Sequence, residues 1–129
     1  MKIISINIRG LRGSVKCKYI KDLIWNEQGR MVCIQETESN NLDLNTLFLL
    51  WGTNEIGWVE NKAIQSAGGL ITMWRKNYFE MTGYINGTSY NIIEGNWKEG
   101  VRSQITVVNV YGFGTLCDKK QRYDKNLWK

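Results

Sequence analysis

Two short segments hold the residues best suited to chemistry. Lys2-Ile3-Ile4-Ser5-Ile6-Asn7-Ile8-Arg9-Gly10-Leu11 places Asn7 at the end of an apolar run. Met31-Val32-Cys33-Ile34-Gln35-Glu36-Thr37 closes a second apolar run on Gln35 and Glu36. One helix-like stretch separates them, so the pair reads as a strand–helix–strand unit with parallel strands. Parallel strands end on the same edge of a sheet, which brings Asn7 and Glu36 together there. A carboxylate and an amide oxygen at one edge suit a hard divalent cation such as Mg²⁺, which takes one or two carboxylates and keeps several waters. Each residue also has a plainer role open to it. Asn7 would serve as a cap on the turn before Gly10, and Glu36 as an acidic residue at the start of a helix.

The elements that must hold these residues follow from apolar spacing. Ile4, Ile6 and Ile8 alternate with Ser5 and Asn7, while Ile3 makes the other face partly apolar, as expected for a strand covered on both sides. Ser14 is an N-cap candidate for a helix reaching Gln28, with Cys17, Ile20, Leu23 and Ile24 on one stripe and Gly29 as its stop. A short helix is expected over Leu44 to Leu50, ending near Trp51-Gly52. Five strands then follow: Ile56 to Glu60, Gly69 to Trp74, Tyr78 to Ile85, Tyr90 to Lys98 and Gln104 to Tyr111. Asn86-Gly87 is the clearest hairpin signal. Lys119 to Lys129 reads as the start of a further helix, with Tyr123 and Leu127 four residues apart.

Composition removes several chemistries. The chain has no histidine, which excludes Ser-His and Cys-His nucleophile pairs and the commonest transition-metal ligand. No P-loop is present, so nucleotide hydrolysis by that route is unsupported. Cys17, Cys33 and Cys117 lack metal-like spacing and read as reduced intracellular thiols, with Cys33 buried in its strand. No run of about 18 apolar residues exists, so no membrane span is expected. The strand-like start at Lys2 is not that of a signal peptide, and Asn86-Gly87-Thr88 accordingly reads as a turn rather than a glycosylation acceptor.

The net charge of +5 is unevenly spread. Residues 1–30 carry seven Lys/Arg against two acids, residues 118–129 five against two, and the middle five against eight. Basic ends suit a phosphate-contacting surface, although solvated lysines on two helices would give the same count. The six tryptophans, at 25, 51, 58, 74, 97 and 128, are either core residues or base-stacking surfaces.

Four segments in order carry a resemblance. Ser5-Ile6-Asn7-Ile8-Arg9-Gly10-Leu11, Ile34-Gln35-Glu36-Thr37, Ala67-Gly68-Gly69-Leu70-Ile71-Thr72-Met73-Trp74 and Val107-Val108-Asn109-Val110-Tyr111-Gly112 resemble successive motifs of the endonuclease/exonuclease/phosphatase superfamily. The wording is closest to the endonuclease domains of plant LINE-type (non-LTR) retrotransposons. The resemblance spans nearly the whole chain but only the first half of the family's domain. It implies an α/β (α+β) fold: the N-terminal half of a four-layer α/β sandwich, one mixed sheet with flanking helices. Residues 1–129 would then be a partial domain whose C-terminal half is missing.

The resemblance also implies a reaction, in which metal-activated water nicks DNA at a phosphodiester. Glu36 would be the principal metal ligand, Asn7 its polar neighbour, and Tyr111 the tyrosine that approaches the scissile phosphate. Tyr111 would otherwise be a packed aromatic at a strand end, and Phe113 stands where the family has a proline. Gly68-Gly69 reads as permitting a turn or close packing. Mg²⁺ is the implied cofactor, with Mn²⁺ as substitute, and nuclear location is implied only by the resemblance. The family's later Asp-Asn and Asp-His motifs do not occur, and Asp118 and Asp124 do not replace them. The chain thus reads as a truncated, inactive nuclease fragment. The competing expectations are a non-catalytic nucleic-acid-binding module, or self-association through an exposed sheet face.

Overall fold

The computed structural model describes residues 1–11, 13–39, 42–63 and 68–111. Within them the order is β1 (Ile3–Asn7), α1 (Ser14–Glu27), β2 (Met31–Gln35), α2 (Leu44–Trp51), β3 (Ile56–Asn61), β4 (Leu70–Arg75), β5 (Phe79–Asn86), β6 (Tyr90–Trp97) and β7 (Ser103–Val110). The helix expected over Lys119 to Lys129 lies outside the described residues.

The strands form two sheets. The first is mixed, in the order β1-β2-β4-β3, with β1 and β2 parallel and the other pairs antiparallel. The second, β5-β6-β7, is antiparallel. The α/β layering and the mixed sheet with its helices are as the sequence implies. The later strands, however, do not extend that sheet: they fold over its inner face. Alternation explains this. Met31, Cys33, Val59 and Trp74 on one face of the first sheet pack with Phe79, Ile93, Trp97 and Val107 of the second. Val32, Ile34, Ile56, Ile71 and Met73 on the other face pack with Ile20 and Ile24 of α1 and Leu47 and Leu50 of α2. The result is helices, mixed sheet and antiparallel sheet, in that order.

Helix ends differ in detail from the sequence reading. Gly13, not Ser14, occupies the N-cap position of α1, and no side chain caps it. Gln28 takes the left-handed C-cap conformation, and its N–H donates to the carbonyls of Ile24 and Trp25. Gly29 instead allows close approach, since a β-carbon there would stand 2.6 Å from Cδ1 of Ile4. α2 is capped conventionally: the Asp43 carboxylate accepts from the Thr46 N–H at 2.8 Å, and Gly52 closes it at φ 85°. The β5–β6 hairpin pairs Asn86 with Asn91 and is closed by the Gly87 N–H donating to Tyr90 O at 2.9 Å, so its turn is centred on Thr88-Ser89 rather than on Asn86-Gly87.

Within the second sheet, Gly95 of β6 lies close against β5. A β-carbon there would collide with the carbonyl oxygen of Glu80 and stand 2.5 Å from Cζ of Phe79. Because one obstacle is backbone, relief requires β5 and β6 to separate. Gly95→Ala is expected to cost about 3 kcal/mol, lowering the melting midpoint by roughly 10 °C in calorimetry. A loss under about 2 °C would show that the strand pair has slack.

Cys33 lies between the two sheets, fully buried. Burial pushes its thiol up to about 12 from the ordinary 9.0, opposed by a hydrogen bond with Thr72. The unfolded chain would release this proton near the ordinary value while the folded chain holds it. Stability is therefore intact below that value and falls as pH rises through the window up to about 12. The Cys33→Ala variant should lose less on alkaline denaturant titration, by up to about 4 kcal/mol at one pKa unit per 1.36 kcal/mol. Parallel pH curves for the two proteins would refute this.

Candidate functional site

Register sets the geometry of the site. In the parallel β1–β2 pair Ile6 lies opposite Ile34 and Asn7 opposite Gln35, so Glu36 is one residue beyond Asn7 on the same edge. Pairing continues past the strand ends. Ile8 N–H donates to Gln35 O at 3.1 Å, Gly10 to Glu36 O at 2.7 Å and Leu11 to Thr37 O at 2.8 Å. On the opposite side, Thr37 N–H donates to Gly69 O at 3.1 Å and Glu38 N–H to Gly68 O at 2.7 Å. The Glu36–Glu38 segment is thus clamped between the loop after β1 and the Gly-Gly pair before β4.

Tyr111 joins the edge from the second sheet. It follows β7, and its N–H donates to Ser89 O at 2.8 Å. A β-carbon on Gly68 would stand 3.5 Å from its ring carbon Cε1, so the ring packs beside the glycine pair. Asn7, Glu36 and Tyr111, the three residues singled out in the sequence, therefore share one end of the fold, and Tyr111 combines its edge position with the packed role. Gly69 permits close packing, since a β-carbon there would run into Oγ1 of Thr37.

Left-handed backbone concentrates here. Arg9, Gly10, Gly13, Glu36, Glu38, Gly68 and Gly69 have positive φ, seven of the ten such residues among those described. Glu36 at φ 55° and Glu38 at φ 53° are not glycines, so each costs on the order of 1 kcal/mol. That strain persists only where surrounding bonds impose it, as the clamp does. Glu36 starts no helix: α2 begins at Leu44. Its half-buried carboxylate has no ion-pair or hydrogen-bond partner among the described residues. Asn7 is exposed and likewise makes no side-chain hydrogen bond among them. The turn it was expected to cap is held by Lys16, whose Nζ donates to Ile8 O at 3.2 Å and Arg9 O at 2.8 Å.

Beneath the edge runs a buried amide chain that sequence reasoning missed. Gln35 Nε2 donates to Ser5 Oγ at 3.0 Å and to Asn109 Oδ1 at 2.8 Å. Asn109 Nδ2 donates to Ile71 O and Thr72 Oγ1, each at 3.1 Å. Thr72 Oγ1 donates to Asn91 Oδ1 at 2.9 Å, and Asn91 Nδ2 to Val59 O at 3.1 Å. These groups tie the two sheets together just behind Glu36. The available signal was Asn109 sharing the inward face of its strand with Val107, and Asn91 with Ile93.

No protein-family model matches this chain, and no curated protein does. Solved structures do. The Xenopus laevis APE2 catalytic domain superposes with a TM-score of 0.63 at 15% identity, covering 98% of this chain and 50% of that one. The fold is of the endonuclease/exonuclease/phosphatase type. The Leishmania major AP endonuclease LMAP gives 0.60 at 16% identity, over 98% of this chain and 44% of that one. D. rerio TDP2 complexed with a single-strand DNA product gives 0.54 at 13% identity, over 95% and 51%. The chain spans about half the length of these structures.

An edge bearing one carboxylate and one amide oxygen fits a hard divalent ion by donor chemistry. Among the described residues no group of three or more acidic or thiol side chains is placed to hold a metal. The fit is to an ion that keeps most of its waters. No helix among the described residues is long and apolar enough to cross a membrane.

Proposed function

We propose that these 129 residues are the metal-side half of a Mg²⁺-dependent phosphodiesterase domain acting on DNA, of the retrotransposon endonuclease type. The observation that carries this reading is the clamped edge at which Glu36, Asn7 and Tyr111 meet on an endonuclease/exonuclease/phosphatase-type fold. Glu36 and Asn7 would hold Mg²⁺, or Mn²⁺ in its place, which supplies charge neutralisation at a phosphodiester. The Tyr111 hydroxyl would position the phosphate, and Lys16 and the αL residues keep the loop after β1 in register. Nothing in this sequence supplies the family's Asp-Asn and Asp-His groups that activate water. These residues alone should therefore bind DNA in a Mg²⁺-dependent way without nicking it.

The test is binding of a labelled duplex with Mg²⁺ or EDTA, beside nicking of supercoiled plasmid, for the unaltered chain and Glu36→Ala. A Mg²⁺ increment in affinity that disappears in the variant, with nicking at the variant's background, is the expected pattern. Salt-sensitive binding indifferent to both Mg²⁺ and Glu36 would favour the second reading, a non-catalytic module using the basic residues. Self-association through the part of β1 that β5–β7 leave uncovered, where Ser5 and Asn7 are exposed, is judged by solution mass.

A further inference from the structure

At the opposite end of the mixed sheet from Glu36, a cavity of about 540 Å³ opens between the C-terminal ends of α1 and α2, the start of β2 and the end of β4. It lies one strand length, about 16 Å, from the candidate site. Its wall includes Trp25, Trp51, Lys21, Arg30 and Arg75. Of the five tryptophans among the described residues, Trp74 and Trp97 are core residues at 4% and 2% exposure, whereas Trp25 is 82% exposed. A tryptophan left this open forfeits most of the benefit of burial, so core packing does not account for it.

Two of the three cations in the wall are equally uncommitted. Arg75 forms no ion pair among the described residues, and its Nε is closed off from solvent without an acceptor. Lys21 forms no ion pair among them either, and lies with its Cε near Gly52. Arg30 bridges Glu99 at 3.4 Å and stacks 4.2 Å over the Tyr78 ring. The one carboxylate in the wall, Asp22, is bridged to Lys18 at 2.8 Å. Two helix C-termini point here, each worth roughly half a negative charge. Lys21 and Arg75 outweigh them, which leaves a positive, aromatic-walled recess.

We propose that this cavity binds a nucleoside monophosphate unit, its base stacked on Trp25 and its phosphate against Arg75 and Lys21. Stacking supplies sequence-tolerant affinity and the cations select the phosphate. The unit comes either as a free nucleotide or as one nucleotide of a single strand. The inference does not rest on the nuclease reading, because no group of the Glu36 edge takes part.

The experiment is calorimetric titration in EDTA, where the Glu36 edge has no metal, with AMP, adenosine, ribose 5-phosphate and the oligonucleotide (dA)6. AMP should saturate one site, with adenosine and ribose 5-phosphate each at least about tenfold weaker. Trp25→Ala and Arg75→Gln should each weaken AMP about tenfold. If (dA)6 binds with the same dependence on Trp25, a strand can supply the nucleotide; if only AMP binds, the source is free. Absence of saturation by both ligands, or unchanged affinity in Trp25→Ala, overturns the proposal. Trp25 is exposed enough that its variant tests binding even if Arg75→Gln fails to fold.

Discussion

Replacing Glu36 by alanine is expected to remove the Mg²⁺-dependent part of DNA affinity, at least about tenfold at low salt, while leaving affinity in EDTA unchanged. The size follows from charge. Glu36 is the only carboxylate in the Asn7–Glu36 pair, and two unit charges about 4 Å apart are worth about 4 kcal/mol at an effective dielectric of about 20. A divalent ion doubles the attraction, and part of it is returned as dehydration cost. A tenfold loss, about 1.4 kcal/mol, is therefore the floor. Alanine also carries a β-carbon, so at φ 55° it keeps the backbone cost that Glu36 already bears and removes only the side chain and its charge. Glu36→Gln keeps the shape and removes only the charge, so it should match the alanine variant in Mg²⁺. Fluorescence anisotropy of a labelled duplex, titrated with and without the ion, reads both. If either variant keeps the Mg²⁺ increment, the edge is not the metal site.

The same edge shows how far a sequence can be read. Asn7 and Glu36 could be placed together because parallel strands share an end, and the observed Asn7–Gln35 pairing is the register this requires. The helical stripe was equally legible: Ile20 and Ile24 are buried and Cys17 and Leu23 half-buried, as a 3.6-residue period demands. Each later strand lies within one residue of its expected start, since turn residues bound it.

Sheet membership was less legible. Alternation within β5 to β7 says that one face is apolar but not which partner covers it, and that is decided by packing of Phe79, Ile93 and Trp97 with Met31 and Cys33, far apart in the chain. The left-handed backbone of Glu36 and Glu38 was invisible for a similar reason. Glutamate has no intrinsic preference for it, and the carbonyls of Gly68 and Gly69 impose it from thirty or more residues away.

The buried amide chain leads to the largest expected change in stability. Asn109→Ala should destabilise the protein by about 4 kcal/mol, lowering its melting midpoint by roughly 15 °C. Asn109 is fully buried and, among the described residues, is the only side chain bonded both to Gln35 of β2 and to Thr72 of β4. Truncation leaves the Ile71 carbonyl without that donor, takes one acceptor from Gln35 Nε2 and opens a void between the sheets. An unsatisfied buried group costs about 1–3 kcal/mol, and low-dielectric surroundings raise rather than screen that cost. Asn91→Ala should be milder, because Thr72 keeps its bond from Asn109. The double variant should lose less than the sum, since both single changes disturb Thr72. Denaturant melts of the three variants supply this cycle, and strict additivity or a cost below about 1 kcal/mol for Asn109→Ala would remove the chain as a structural unit. Coupling to the edge is the further consequence. Gln35 immediately precedes Glu36, so where Asn109→Ala remains folded its Mg²⁺ increment in DNA affinity should shrink although no ligand atom has been touched. That outcome separates a network that merely holds two sheets together from one that also sets where the Glu36 carboxylate stands.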